Sequence, residues 1–315
     1  MPFATSHDEF LSMQEHDEYP PPPEMLSAFR KLLTAPSIHT SAIAKEAAAP
    51  IIANMPNEQD PRWPDCTLLW RTLARAVDTF AASNDRFVDF VVQLQKLPDG
   101  DGVFEMLPQF NNHWTEFGYT MTYYVSDEPE RNLKHQAQTN QHAFCAKLST
   151  YKHIPVLDQI HRAGFTFRST CEFAPWERVH FPEIEEWYDP HDDPAEFDWP
   201  ARRDLELERV NIKMLNAKVP AAAQWLRHVG QRIYDMQGDM DGEHDWQTKV
   251  LNPKWKGPKG YSKQRFSFWR ERFEWMAQVT ALDKDTQKIA LECAQEMKKI
   301  EEAAHVYQIQ CEKSN

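Results

Sequence analysis

The stretch DKDTQKIALECAQEMKKIEEAAHVY, Asp283–Tyr307, decides the fold. Its apolar residues Ile289, Cys293, Met297, Ile300, Ala304 and Tyr307 recur at steps of four, four, three, four and three. That spacing gathers side chains on one face of an α-helix. Charged residues fill the positions between, so the stretch predicts an amphipathic helix whose stripe needs other helices to cover it.

Working back along the chain, the same periodicity returns. Phe266, Trp269, Phe273 and Met276 form one stripe, with Ser262 placed to cap its helix. Ala222, Trp225, Val229, Ile233 and Met236 form another on a helix read from Pro220, and a further helix runs through Leu205 and Ile212. In the first half, stripes run through Met25, Phe29, Leu32 and Leu33, then Ile43, Ala47, Ile51 and Ile52. Leu69, Leu73, Val77 and Phe80 follow behind Asp65 as a cap, then Phe87, Val91 and Leu94 behind Asn84. Leu133, Ala137, Phe144 and Leu148 continue the pattern, but Gln141 stands in the row where a hydrophobe belongs. Tyr119–Val125 and Phe165–Thr170 are rich in β-formers, yet short and isolated. The expected fold is all-α: a single irregular multi-helix bundle over residues 24–315 with a long proline-rich, acidic loop insertion at about 171–200. Residues 1–23 are polar and acidic and end in four prolines, which predicts a flexible arm.

Composition narrows the function. The formal charge of −13 repels nucleic acid and anionic membrane. The most apolar stretch, Ala47–Ala53, is broken by Pro50 and is far shorter than the roughly 20 residues that span a bilayer. Neither nucleic-acid binding nor membrane insertion is expected, and the acidic start lacks the features of a secretory signal, so a cytoplasmic location is expected. The five cysteines are scattered without ligand or redox spacing, which predicts free thiols.

In the C-terminal third, Val219-Pro220-Ala221-Ala222-Ala223-Gln224-Trp225, Gly230, Ile233-Tyr234, Trp255-Lys256-Gly257 and Gly260-Tyr261-Ser262 stand in order. Arg265, Phe268-Trp269, Arg272-Phe273, Ala294, Glu296-Met297 and Ile300-Glu301 follow. This pattern resembles a fungal all-helical family, the domain of unknown function DUF3632. The resemblance covers about Lys218–Glu301, with looser likeness around 140–148 and 69–90. It implies an all-α fold, a fungal source, an intracellular setting and a link to specialised metabolism, and it brings no catalytic residues.

Chemical motifs are sparse. Glu177 with His180 and Glu302 with His305 have the Glu-x-x-His spacing of di-iron bundles, but prolines 175 and 182 crowd the first pair. Asp192-Asp193-Pro194-Ala195-Glu196 resembles a magnesium-binding string of terpene cyclases, though prolines surround it. Asp239, Asp241, Glu243 and Asp245 alternate without the glycine of an EF-hand. Solvated surface acids account for all three, and no metal site is assigned. From Glu172 to Glu208, thirteen acids against three arginines give a net of −10. From Lys249 to Arg272, eight basic residues against Glu271 give +7. The plain reading is that these charges solvate loops or face one another. Nucleophile elbows, phosphate loops, dinucleotide fingerprints and zinc spacings are absent, and nine glycines leave little room for such loops. No cofactor is expected.

What stays compatible with this sequence is chemistry done by orientation and one or two hydrogen bonds. The expected function is a cofactor-independent cyclase or isomerase, for example a Diels–Alder-type ring closure, acting on an apolar intermediate of fungal specialised metabolism. The alternative is a non-catalytic interaction or scaffold protein. The candidate catalytic residues are His142, Gln141 and His228, and the candidate substrate-binding residues are Trp114, Phe144, Trp225, Tyr234 and Trp269. His135, Gln138, Cys145 and Ser149 accompany Gln141 on its helix. His135 and His142 lie about 10 Å apart along the axis, too far to share one metal.

Overall fold

A computed structural model describes residues 3–34, 40–54, 64–98, 102–118, 128–186, 199–240 and 253–314. Thirteen α-helices are present among them, with short 3₁₀ turns, one π-helical turn and no strand beyond a single bridge between Gly238 and Tyr261. The all-α expectation holds. No helix among the described residues is long and apolar enough to cross a membrane. Residues 119–125, the Asp192–Glu196 string and Asp241–Asp245 lie outside the described residues.

The chain divides into two compact units: residues 1–121 with 136–158, and residues 122–135 with 159–315. Unit 1 holds α1 (His7–Glu15), α2 (Pro23–Thr34), α3 (Thr40–Ala53), α4 (Thr67–Thr79), α5 (Asn84–Gln95), α6 (Phe110–Gly118) and the greater part of α7 (Glu128–Leu148). Its helices pack as α1 on α2, α2 on α3, α3 on α5 and α4 on α6. Unit 2 holds the first turns of α7, then α8 (His161–Phe167), α9 (Pro182–Glu185), α10 (Trp199–Arg209), α11 (Leu215–Asp235), α12 (Lys263–Met276) and α13 (Lys284–Ser314). There α13 packs on both α11 and α12, and α11 also packs on α8. Of the stripe that opened the reading, this packing encloses Cys293, Met297 and Ile300, with Ile289 and Ala304 half-buried on either side.

The flexible arm is corrected. Residues 7–15 fold as α1, because Ser6 accepts a hydrogen bond from the Glu9 N–H at 3.1 Å and so satisfies one of the helix's orphan donors. Phe10, Leu11 and Gln14 are buried, and the Phe10 ring meets Phe80 edge-on at 5.4 Å. Just beyond the helix, Asp17 pairs with Arg75 at 2.7 Å and Arg71 at 3.2 Å. Burial alone pushes the Asp17 carboxyl up, but the Tyr19 N–H and the two arginines hold it below the usual carboxylate range.

Several boundaries move for local reasons. The helix read from Pro220 begins at Leu215, and its first turns tolerate the proline because Pro220 removes only one backbone donor near the start. At Val229 the backbone leaves helical geometry (φ −138°, ψ 20°), so α11 is kinked. Ile212 falls in a separate 3₁₀ turn after α10. Ser262 caps α12 as expected, accepting from the Arg265 N–H at 3.1 Å. Phe165–Thr170 is no strand: α8 runs through Phe167 and continues as the π-turn Arg168–Glu172. Cys171 and Glu172, the expected start of the acidic loop insertion, therefore belong to buried helical structure, and only short helical turns follow at Pro175–Glu177 and Pro182–Glu185.

Candidate functional site

The candidate site residues divide between the units. Trp114, Gln141, His142 and Phe144 fall in unit 1, whereas Trp225, His228, Tyr234 and Trp269 fall in unit 2. Two buried polar centres result, one in each unit.

In unit 1, the interrupted stripe of α7 has a partner that the sequence did not disclose. Gln141 is buried, and its side-chain amide donates a hydrogen bond to Oδ1 of Asp78, in the last turn of α4. On the neighbouring position, Asn140 donates from Nδ2 to the Asp78 backbone carbonyl at 2.9 Å, which satisfies one of the acceptors a helix leaves open at its C-terminus. Asn84 donates to the Asn140 carbonyl at 2.9 Å, and Gln136 donates to Oδ1 of Asn140 at 2.8 Å. Gln141 thus binds the carboxyl and Asn140 the backbone of the same residue, while Asn84 and Gln136 hold Asn140 in place.

That acid is unusual. Asp78 is half-buried, and burial drives its carboxyl well above the ordinary carboxylate range, against the smaller opposing pulls of the Gln141 amide and Arg75. The negative end of the α4 dipole lies at the same place and acts in the same direction as burial. With Oδ1 accepting the amide hydrogen, Oδ2 is the oxygen that the Gln141 amide leaves open.

An aromatic series accompanies this acid within unit 1. Trp70 meets Phe110 edge-on at 5.0 Å, Phe110 lies 5.6 Å from Trp114, and Trp114 stacks on Phe144 at 4.5 Å. Phe144 sits one helical turn from Gln141, on the same face of α7. Trp70 uses its indole N–H on the Pro108 carbonyl at 2.9 Å, while the buried indole N–H of Trp114 has no acceptor among the described residues. His142 is buried on the position after Gln141.

Unit 2 is organised by the π-turn. Glu172 is enclosed and receives a bidentate clamp from Arg265, Nε to Oε1 at 2.6 Å and Nη2 to Oε2 at 2.8 Å. The Trp269 indole donates to the same Oε1 at 2.8 Å, and the third arm of Arg265 donates to the Gly260 carbonyl at 2.9 Å. Trp269 stacks on Phe167 at 4.9 Å. Gly164 permits the approach of Tyr261, since a Cβ there would sit 2.4 Å from the Tyr261 hydroxyl. Tyr234 packs edge-on to Phe266 at 5.1 Å, Trp225 is fully enclosed, and His228 is half-buried on the next turn of α11. Trp269 and Tyr234 are thus engaged with side chains of their own unit, and Trp225 is core.

The remaining motif residues are occupied or outside the described set. Glu177 pairs with Lys254 at 2.6 Å, and His180 lies 3.8 Å from Glu185. Cys66 and Cys293 are buried thiols pushed up to about 12 by burial, which suppresses the reactive thiolate.

Fold and centres together define an all-α protein with an amide-bound acid in one unit and a buried ion pair in the other. The family described as "Protein of unknown function (DUF3632)" matches residues 70–273, and the chain belongs to it. No curated protein and no solved structure matches the chain.

Proposed function

We propose that unit 1 carries a cofactor-independent acid site that promotes cyclisation or isomerisation of an apolar small molecule, an intermediate of fungal specialised metabolism. The observation that carries the reading is Asp78: a carboxyl pushed up by burial, bound by Gln141, and sharing its unit with the Trp114–Phe144 stack. A carboxylic acid held protonated near neutral pH is a strong hydrogen-bond donor that an ionised surface acid cannot replace.

In this reading Oδ2 of Asp78 donates its proton, or a hydrogen bond, to a carbonyl oxygen of the substrate. That withdraws electron density and activates the adjacent π-system for ring closure or double-bond migration. As negative charge grows on the carboxyl group, the Gln141 hydrogen bond to Oδ1 strengthens and stabilises it. In an isomerisation the carboxylate then recovers the proton from the substrate carbon, so the acid is regenerated without a co-reactant. Trp114 and Phe144 supply flat apolar area for orientation, which alone contributes on the order of several kcal/mol to such reactions. The Trp114 indole N–H offers a second donor.

The test is genetic and chemical together. Deletion of the gene is followed by comparison of organic extracts and by complementation with the wild type or Asp78→Asn at matched protein levels. The acid site predicts a lost or isomeric product that the wild type restores and Asp78→Asn does not. An unchanged extract while the gene is expressed, or full restoration by Asp78→Asn, overturns it; restoration by the variant is what a scaffold would give.

A further inference from the structure

Unit 2 contains a lysine that pairs with no carboxylate among the described residues. Lys218 lies on α11 between the 3₁₀ turn at Ile212–Met214 and Pro220. Its ammonium group makes one hydrogen bond, to the backbone carbonyl of Ser169 at 3.2 Å. That carbonyl belongs to the π-turn, where the regular helical ladder is interrupted, a feature that often marks functional positions. Two helix irregularities, the π-turn and the in-helix Pro220, therefore meet at this side chain.

The charged groups around it do not compensate it. The π-turn's own acid, Glu172, is committed to Arg265 and Trp269. The turn's other charged residue, Arg168, is a cation, and Arg272 from α12 donates to the Cys171 carbonyl of the same turn at 3.1 Å. Arg209, at the end of α10, adds positive charge near Lys218 and is itself bound to Glu206. No described carboxylate pairs with Lys218.

We propose that Lys218 is a nucleophilic amine that forms a reversible imine with small aldehydes or ketones, a reactive-lysine site distinct from the acid centre of unit 1. The amine lone pair attacks the carbonyl carbon, a C–N bond forms as the carbonyl π-bond opens, and the carbinolamine loses water to give the imine. No oxidant or reductant is needed, and hydrolysis reverses the step. Burial, reinforced by Arg209, brings the amine from its ordinary 10.5 down to about 8, so its neutral form is populated at physiological pH. Lys218 itself is half-buried.

The experiment uses the full chain, butyraldehyde and sodium cyanoborohydride, which traps the imine by hydride addition to its carbon, followed by peptide mass spectrometry. Exposed Lys288 and Lys298 on α13 serve as references within the same molecule. At about pH 7 an amine at 8 is neutral about 300-fold more often than one at 10.5. With partial enclosure slowing access, Lys218 is expected to label at least ~10-fold faster than Lys288. The preference should shrink toward about pH 10 and vanish when urea unfolds the chain. Lys218→Arg should lose the fast adduct. A Lys218 that reacts no faster than Lys288 in the folded wild type, or a preference that survives unfolding, overturns the proposal, and neither result depends on the variant folding.

Discussion

Asp78→Asn tests the central electrostatic claim, and it does so through stability rather than through an unidentified substrate. The substitution keeps the shape of the side chain, and the new amide oxygen can still accept the Gln141 N–H. In the wild type the folded carboxyl holds its proton above the unfolded value of 3.8, because burial opposes ionisation. Between that unfolded value and the raised folded one, the native state binds more protons than the unfolded chain. The stability of unit 1 therefore falls as pH rises through this window and is fully present only below it. The slope is at most about 1.4 kcal/mol per pH unit, and the variant lacks it. Asp78→Asn is thus expected to gain on the wild type by up to about 1.4 kcal/mol between about pH 4.5 and pH 5.5. Native-state hydrogen exchange, read on peptides of α4 and α7, reports unit 1 itself, and comparing the two proteins at equal pH cancels intrinsic exchange rates and all other titrations. A difference that does not change with pH, or a wild type that gains as pH rises, would mean an ionised Asp78 stabilised by Gln141 and Arg75, and would refute the acid-site reasoning.

Three further outcomes follow from the packing. Glu172→Ala strips the counter-charge from a buried Arg265 and should cost about 3–5 kcal/mol in urea unfolding of unit 2; a cost below about 1 kcal/mol would show that the pair is dispensable. Gly164→Ala, although a better helix former, drives a Cβ against the Tyr261 hydroxyl and against Met240 at 2.6 Å, with an expected loss of about 1–3 kcal/mol that Tyr261→Phe partly recovers. Phe10→Ala removes the ring that holds α1 to Phe80, and limited proteolysis within residues 7–19 should accelerate while α4 and α5 stay protected. Equal cleavage of both proteins would place the anchorage of α1 elsewhere, on Asp17 and its arginines.

The fold was legible wherever apolar residues keep a helical period. The α13 stripe, the α12 stripe with its Ser262 cap and the α4 stripe behind Asp65 all come from spacing alone, and Asp65 does accept from the Thr67 N–H at 2.9 Å. The missed element, α1, is short and acidic, so its composition reads as solvated chain. Its signal was local: Ser6 followed three residues later by Glu9, ahead of the pair Phe10 and Leu11. The site was half legible. Gln141 betrayed itself by breaking a stripe, but Asp78 lies 63 residues away, beside Val77 in a well-formed amphipathic helix, and nothing local sets it apart from a surface acid. Glu172 was hidden in the same way, counted among the acids of a proline-rich stretch while its clamp, Arg265, lies 93 residues downstream. Periodicity carries the backbone, whereas pairing of buried polar groups is a property of the folded chain alone.

The two buried acids also show why chemistry is assigned to one and architecture to the other. Glu172 accepts two charged hydrogen bonds from Arg265 and a third from Trp269, so both oxygens are engaged by its own unit. Asp78 receives one side-chain hydrogen bond, from an uncharged amide, and no ion pair among the described residues; its burial raises the carboxyl instead of being offset by a counter-ion. A stabilising role would be served better by a leucine or by a paired acid, since either avoids the cost of enclosing an ionisable group. An acid raised by burial, bound at one oxygen by an amide and lacking a counter-ion among the described residues is an arrangement that general-acid chemistry can use and that packing alone does not explain.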